Sequence, residues 1–150
     1  MTTAPRTLLA FDYGTKRIGV AVGQELTRTA SPLITLHISA NSIDWNAIDQ
    51  LVTDWRPDAF VVGLPLNADG SEHAISHAAK QFGNQLQARY NLSTYWVDER
   101  LTSMEAESMI AARRISRKSK PLDRNKTKAE VDKTAAKLIL ESWFNQQPTL

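Results

Sequence analysis

The sequence predicts an α/β protein built on a mixed five-stranded sheet with helices on both faces. Residues 8–11 and 18–23 are apolar segments on either side of a polar turn, which indicates a β-hairpin. A third alternating segment follows, and after it stretches with helical periodicity alternate with short apolar strands. A meander followed by alternating helices and strands is typical of a mixed sheet that is covered on both sides.

The first strand of the hairpin ends in an acid. Alternation along an extended strand places Asp12 on the same face as Leu8 and Ala10. A carboxylate at the end of a buried strand is costly unless it has a cation or hydrogen-bond donors, so Asp12 is a candidate site residue. Lys16 and Arg17 put positive charge beside it and are candidates for binding substrate.

The second strand of the hairpin has one smooth face. Gly19, Ala21 and Gly23 share that face, whereas the β-branched residues of the segment share the other. A strand face without bulky side chains allows a helix or a substrate to approach its backbone closely.

The remaining elements follow in chain order. Residues 32–38 alternate as a third strand, and Pro32 predicts an edge position because proline has no N–H for the ladder. Helical periodicity over residues 42–55 predicts a helix with Asn41 or Ser42 as its N-cap. The further predictions are a strand at 59–62, a helix at 71–90, a strand at 92–97, a helix at 102–112, a mobile basic loop at 113–126 and a last helix at 127–145.

The bulk composition restricts the class of protein. The 150 residues are enough for one domain with its own core, and no linker or repeat divides them. There is no cysteine, which excludes disulfides and thiolate metal sites. No apolar run is long enough for a membrane span, and the first residues lack the apolar core of a signal peptide. We therefore expect a single-domain cytoplasmic protein, 1–150, that does not bind membranes.

Positive charge is concentrated near the carboxyl terminus. Residues 113–137 contain ten Lys and Arg against three Asp and Glu, while the rest of the chain contains eight and thirteen. A basic block on an otherwise acidic chain indicates a polyanionic partner such as nucleic acid. Arg113, Arg114, Arg117 and Lys118 of the predicted loop are candidates for binding a substrate backbone.

Acids from three separate elements are predicted to meet at one edge of the sheet. Asp12 ends the first strand, and Asp98 and Glu99 end the fifth; sites in such sheets lie at the carboxyl ends of the strands. Asp132 lies within the apolar stripe of the last helix, next to two alanines that allow close approach to the sheet. Alternation alone does not decide whether Asp98 or Glu99 points toward the site.

Carboxylates that are brought together repel one another, and a divalent cation removes this conflict. Oxygen ligands without cysteine favour Mg²⁺ or Mn²⁺ over zinc. Two such ions suit the displacement at a phosphodiester, because one activates water and the other stabilises the leaving oxygen. The sequence therefore predicts a metal-dependent nuclease with two Mg²⁺ or Mn²⁺ ions.

Four segments resemble the YqgF (RuvX) family in order and spacing. They are residues 11–21 (FDYGTKRIGVA), 62–65 (VGLP), 98–102 (DERLT) and 132–136 (DKTAA). The resemblance implies a ribonuclease H-like fold related to the RuvC Holliday-junction resolvases, and processing of the 5′ end of precursor 16S ribosomal RNA. It also implies that Asp12, Glu99 and Asp132 form the metal-binding catalytic triad, which selects Glu99 over Asp98.

Several functions stay open at this point. Structured RNA, the ribosome and branched DNA are alternative partners, because a phosphodiester cleft recognises charge and shape before sugar. A junction resolvase needs two active sites and hence a dimer. An actin-like or sugar-kinase ATPase needs a second domain and hairpin that this sequence lacks, and the acids argue against a non-catalytic binding factor in ribosome biogenesis or transcription. Arg100 is expected either to contact a substrate phosphate or to pair with a neighbouring acid.

Overall fold

The computed structural model describes residues 4–40, 42–65, 74–98 and 124–147. These residues form five strands and three helices. In chain order they are β1 (Thr7–Tyr13), β2 (Arg17–Gln24), β3 (Thr29–His37), α1 (Trp45–Trp55), β4 (Ala59–Leu64), α2 (Ala74–Tyr90), β5 (Ser93–Asp98) and α3 (Arg124–Gln146).

The strands form one sheet in the order β3-β2-β1-β4-β5. β1 pairs antiparallel with β2, which pairs antiparallel with β3, so the first three strands are a meander. β4 lies parallel to β1 on its other side, and β5 lies parallel to β4. The predicted mixed sheet is therefore confirmed, and β1 is its central strand.

The two faces of the sheet belong to two different cores. Leu9 and Phe11 of β1 are buried in the core that includes residues of α1 and α2. Leu8 and Ala10, which alternate with them, are buried in the core that includes Ile139 and other apolar residues of α3. Helices therefore cover both faces, as predicted, and the α3 face is the face on which Asp12 follows Leu8 and Ala10.

The edge position of β3 agrees with its proline. The strand begins at Thr29, three residues before the predicted start, and Pro32 is paired with Ala21 of β2. The register shifts between Val20 and Ala21, beside this pair. A local irregularity is expected there because proline cannot donate to the ladder.

The start of α1 differs from the prediction. Its N-cap is Asp44, whose carboxylate accepts a hydrogen bond from the N–H of Ala47 at 3.1 Å. Ser42 is not the cap, because its main chain forms a bridge with Ser39 and holds it in the preceding turn. The alternative, Asn41, lies outside the described residues.

The start of α3 also differs. The spacing of Thr127 and Glu130 is that of a capping box, but the helix already begins at Arg124, so Thr127 lies within it. Residues 124–126 are therefore helical rather than part of a loop, which is consistent with the good helix propensity of Arg and Lys. The predicted helix at 102–112 and the rest of the predicted loop, 113–123, lie outside the described residues.

Within the described ranges, no helix combines the length and the apolar character that crossing a membrane requires.

Candidate active site

The hairpin between β1 and β2 fixes the position of Asp12. The N–H of Gly14 donates to the carbonyl of Arg17 at 2.9 Å and closes the turn. A Cβ atom at Gly14 would lie 2.7 Å from that carbonyl oxygen, so the closure requires glycine. The resulting register places Asp12, which is half-buried, directly opposite Gly19.

Helix α3 contacts the backbone of β2 at Gly19. A Cβ atom on Gly19 would overlap the main-chain carbonyl of Asp132, so helix and strand approach here without a side chain between them. Further along the same face, a Cβ atom on Gly23 would lie 2.5 Å from Cδ2 of Leu140. The close approach that the smooth face predicts is therefore confirmed, and Asp132 lies over the strand position that pairs with Asp12.

The carboxylate of Asp132 is turned toward the hairpin. Nε of Arg17, the first residue of β2, donates to Oδ2 of Asp132 at 2.7 Å, although the two residues are 115 positions apart. Their side chains are 25% and 21% exposed. Asp132 thus neither extends into bulk solvent nor lies across the sheet from the end of β1.

The carboxylates of Asp12 and Asp132 are suitable ligands for a hard cation. Residues directly opposite in an antiparallel pair have Cα atoms about 4.5–5.5 Å apart. Because Asp12 lies opposite Gly19 and the main chain of Asp132 packs against Gly19, the two acids are neighbours. Both offer carboxylate oxygens, the ligands that Mg²⁺ and Mn²⁺ prefer. Among the described residues no three His, Asp or Glu side chains group closely enough to hold an ion, and the third predicted ligand, Glu99, lies outside them.

Alternation along β5 assigns its last residues to one or the other face of the sheet. Tyr95 and Val97 pack in the α3 core, whereas Trp96 packs in the other core, with its ring against Gly83 of α2. Asp98 ends the strand in the phase of Trp96 and is exposed. Residues in the phase of Val97 therefore share a face with Asp12 and α3.

The two basic residues of the turn differ in their surroundings. Lys16 is exposed, and its main-chain carbonyl accepts from the N–H of Ile38 at 2.9 Å. Arg17 is directed at Asp132, and the signal for this contact in the sequence is limited to the opposite charges of the two residues. The other predicted site residues lie outside the described ranges; they are Glu99, Arg100, Arg113, Arg114, Arg117 and Lys118.

Two solved structures share this fold. The Thermus thermophilus RuvC structure matches with a TM-score of 0.50 at 12% identity, covering 93% of this chain and 96% of that one. The yeast mitochondrial Holliday junction resolvase Ydc2 matches with a TM-score of 0.51 at 9% identity, covering 91% and 77%. At these identities the likeness concerns the fold alone, and it confirms the ribonuclease H-like fold. This fold, with an acid on the central strand and another on the helix packed beside it, places the chain in the class of ribonuclease H-like proteins.

The sequence comparisons give the family within that class. The model of the RuvX family, described as "Holliday junction resolvase", matches residues 6–146. A protein of Nitrosococcus oceani named "Putative pre-16S rRNA nuclease" is 45% identical over 97% of this chain and 91% of its own length. A protein of Pectobacterium carotovorum with the same name is 44% identical over 95% and 97%. The chain belongs to the RuvX family, and the predicted family and nuclease class are confirmed.

Proposed function

We propose that the chain is a divalent-metal-dependent endonuclease that processes the 5′ end of precursor 16S ribosomal RNA in the bacterial cytoplasm. The packing of α3 on Gly19 carries this proposal, because it brings Asp132 over the strand position opposite Asp12. Relatives that are 44–45% identical and named for pre-16S rRNA support the choice of substrate.

Asp12, Glu99 and Asp132 would hold the metal, as Mg²⁺ or Mn²⁺. The burial of Val97 in the α3 core supports Glu99 rather than Asp98, because alternation continued beyond the end of β5 would give position 99 the phase of Val97. Two ions bound by such acids supply an activated water and stabilise the leaving oxygen of a phosphodiester.

The chain's basic residues would hold the RNA beside these acids. Lys16 is exposed in the turn that follows Asp12, which supports a contact between its ammonium group and a phosphate. The proposed contacts to the RNA backbone also include Arg100, Arg113, Arg114, Arg117 and Lys118. The assembling ribosome is a further proposed partner, since the substrate is a precursor of its RNA.

Substituting Asp12 by asparagine tests the proposal. Asp12→Asn keeps the shape of the side chain but removes a charged oxygen ligand, so we expect cleavage to fall on the order of a hundredfold or more. RNA binding measured without divalent ions and the thermal unfolding midpoint should stay near those of the wild type. The assay uses an RNA that carries the 5′ precursor segment of 16S rRNA, with Mg²⁺ or Mn²⁺.

Asp54→Asn is a matched control, because Asp54 is an exposed acid of α1 that accepts a hydrogen bond from Gln50 on the opposite side of the sheet. This variant should cleave like the wild type. Cleavage by Asp12→Asn at the rate of the wild type would contradict the proposal.

The description of the family model favours a four-way DNA junction as the second candidate substrate. Cleavage of the precursor RNA and of a four-way junction should therefore be measured side by side. We expect the RNA to be cut preferentially. Preferential cutting of the junction, together with a dimeric mass in solution, would replace the RNA assignment by a resolvase.

A further inference from the structure

We propose that Arg17 is a positioning residue that fixes the carboxylate of Asp132 for the divalent ion and does not bind the substrate phosphate. The inference rests on the proposed function, since it assigns a partner to one of the metal-holding acids. Its basis is the contact of 2.7 Å between Nε of Arg17 and Oδ2 of Asp132.

The main chain and the side chain of Asp132 are fixed by two different neighbours. Gly19 lets the main-chain carbonyl of Asp132 lie directly against β2, which sets the height of the helix above the sheet. This packing leaves the side-chain dihedral angles to be set separately, and Arg17 holds the carboxylate by one of its oxygens. Since Nε of Arg17 donates to Oδ2 and no other residue in the described ranges donates to this carboxylate, the lone pairs of Oδ1 can bind a cation.

The surroundings of Arg17 differ from those expected of a phosphate-binding residue. Its side chain is three-quarters buried and directed at an acid, and the carboxylate of that acid is similarly shielded. Lys16, the preceding residue, is exposed instead. A partly buried guanidinium that is paired with a carboxylate is suited to orienting that carboxylate. In other proteins, residues that hydrogen-bond to metal ligands orient those ligands in this way.

The charge of Arg17 has a second consequence. A guanidinium a few ångströms from a divalent ion repels it, so the residue orients Asp132 while it weakens the attraction of the site for the ion. A variant without Arg17 should therefore bind the ion more tightly and cleave the RNA more slowly. A phosphate contact would in addition lower the RNA affinity and its dependence on salt, and an ion pair that only holds α3 on β2 would leave kcat unchanged.

Three substitutions separate the two effects. Arg17→Ala removes both the charge and the donor. Arg17→Gln removes the charge but keeps an N–H donor, since its Nε2 is the same number of bonds from Cα as Nε of arginine. Arg17→Lys keeps the charge but has a carbon atom where the Nε of arginine would be.

The readouts are Mn²⁺ binding by EPR without RNA, RNA binding without divalent ions, and kcat at saturating Mn²⁺. We expect Arg17→Ala to bind Mn²⁺ about three- to tenfold more tightly and to lose about ten- to a hundredfold in kcat. Arg17→Gln should bind Mn²⁺ like Arg17→Ala but recover part of kcat. Arg17→Lys should keep the Mn²⁺ affinity of the wild type and lose kcat. RNA affinity and its dependence on salt should stay unchanged in all three.

Arg89→Ala is the matched control, because it removes an arginine–aspartate pair on the other side of the sheet and should leave every readout unchanged. A decrease of about one unit in the log–log salt slope of RNA binding in Arg17→Ala would assign Arg17 to a phosphate and overturn the inference. A lower unfolding midpoint with unchanged Mn²⁺ affinity and unchanged kcat would reduce the pair to a structural contact and overturn it as well. Either result leaves the nuclease proposal intact as long as Asp12→Asn fails to cleave, so the two failures are distinguishable.

Discussion

The face of the sheet under α1 and α2 is filled with aromatic rings, whereas the face under α3 has fewer rings, at Tyr95, Trp143 and Phe144, and has glycine where the helix crosses β2. On the first face, the centroid of the Phe82 ring lies 5.4 Å from that of Phe11, and the centroids of Phe11 and Phe60 are 5.9 Å apart. On the second, Gly19 and Gly23 leave the strand backbone open to α3. Large rings bury much apolar area per residue and favour stability. Glycines bring a particular point of the helix, Asp132, to a particular strand position.

Each side of the sheet also has an arginine–aspartate pair, and the two pairs differ in their environment. Arg89 of α2 donates two hydrogen bonds to Asp49 of α1, and the side chains are 44% and 41% exposed. Hydrogen bonds from Arg89, and then from Tyr90, lower the pKa of Asp49 to about 2. Exposed pairs of this kind add little to stability. The pair of Arg17 and Asp132 is less exposed and lies beside a second acid, so its orientation matters for the proposed metal site.

The largest effect on stability is expected on the aromatic face. Phe82 is buried and its ring packs against those of Phe11, Tyr13 and Trp45, so Phe82→Ala should lower the free energy of unfolding by about 3–5 kcal/mol. Urea denaturation measures this loss, and the Mn²⁺ affinity of the folded variant should equal that of the wild type. Leu26→Ala is the control, because Leu26 is 76% exposed and its removal should change stability by less than about 0.5 kcal/mol. A loss below about 1 kcal/mol in Phe82→Ala would contradict a stabilising role of this face.

A substitution at Gly19 is expected to cost less stability, but it should also change the position of Asp132. Gly19→Ala places a methyl group where the main-chain carbonyl of Asp132 lies, so α3 must move away from β2. Overpacking of this kind should cost about 1–3 kcal/mol, and cleavage should fall by on the order of a hundredfold because Asp132, a proposed metal ligand, is displaced. Urea denaturation and the RNA cleavage assay measure the two losses.

Gly83→Ala is its counterpart on the aromatic face. There the added methyl group would lie 2.7 Å from an atom of the Trp96 ring, a side chain rather than a backbone. Alanine also favours the helix by about 1 kcal/mol relative to glycine, which offsets part of the crowding. Cleavage by Gly83→Ala should persist. If Gly19→Ala also cleaved like the wild type, the close approach at Gly19 would not be what positions Asp132.

The difference between the two faces was predictable from sequence as far as it depends on local pattern. Alternation alone assigns Asp12 to one face of β1 and Phe11 to the other, and the small residues of β2 predict a close neighbour. The choice between Asp98 and Glu99 was not predictable in this way, because it depends on which face of β5 α3 covers. The partner of Arg17 was equally hidden, since it lies 115 residues away and Lys16 carries the same charge in the same turn.

The start of α1 shows the same limit at short range. Ser42 and Asp44 are both N-cap residue types, and sequence preference does not separate them. Their main-chain hydrogen bonds do, because the mutual bonds between Ser39 and Ser42 hold the chain in a turn just before the helix. Asp44 is therefore the residue that meets the free N–H groups of the first helical turn.

The smallest expected effect tests this assignment on the helix that supports the aromatic face. Asp44→Ala removes the acceptor for the N–H of Ala47 and should lower the free energy of unfolding by about 1 kcal/mol. Ser42→Ala removes an exposed hydroxyl that is not the cap and should change it by less than about 0.5 kcal/mol. Urea denaturation of both variants under one condition measures the difference. Both should cleave RNA at the rate of the wild type, because α1 lies on the side of the sheet opposite the acids. Equal losses of stability in the two variants would contradict the cap, and a loss of cleavage in Asp44→Ala would show that the two faces are not independent.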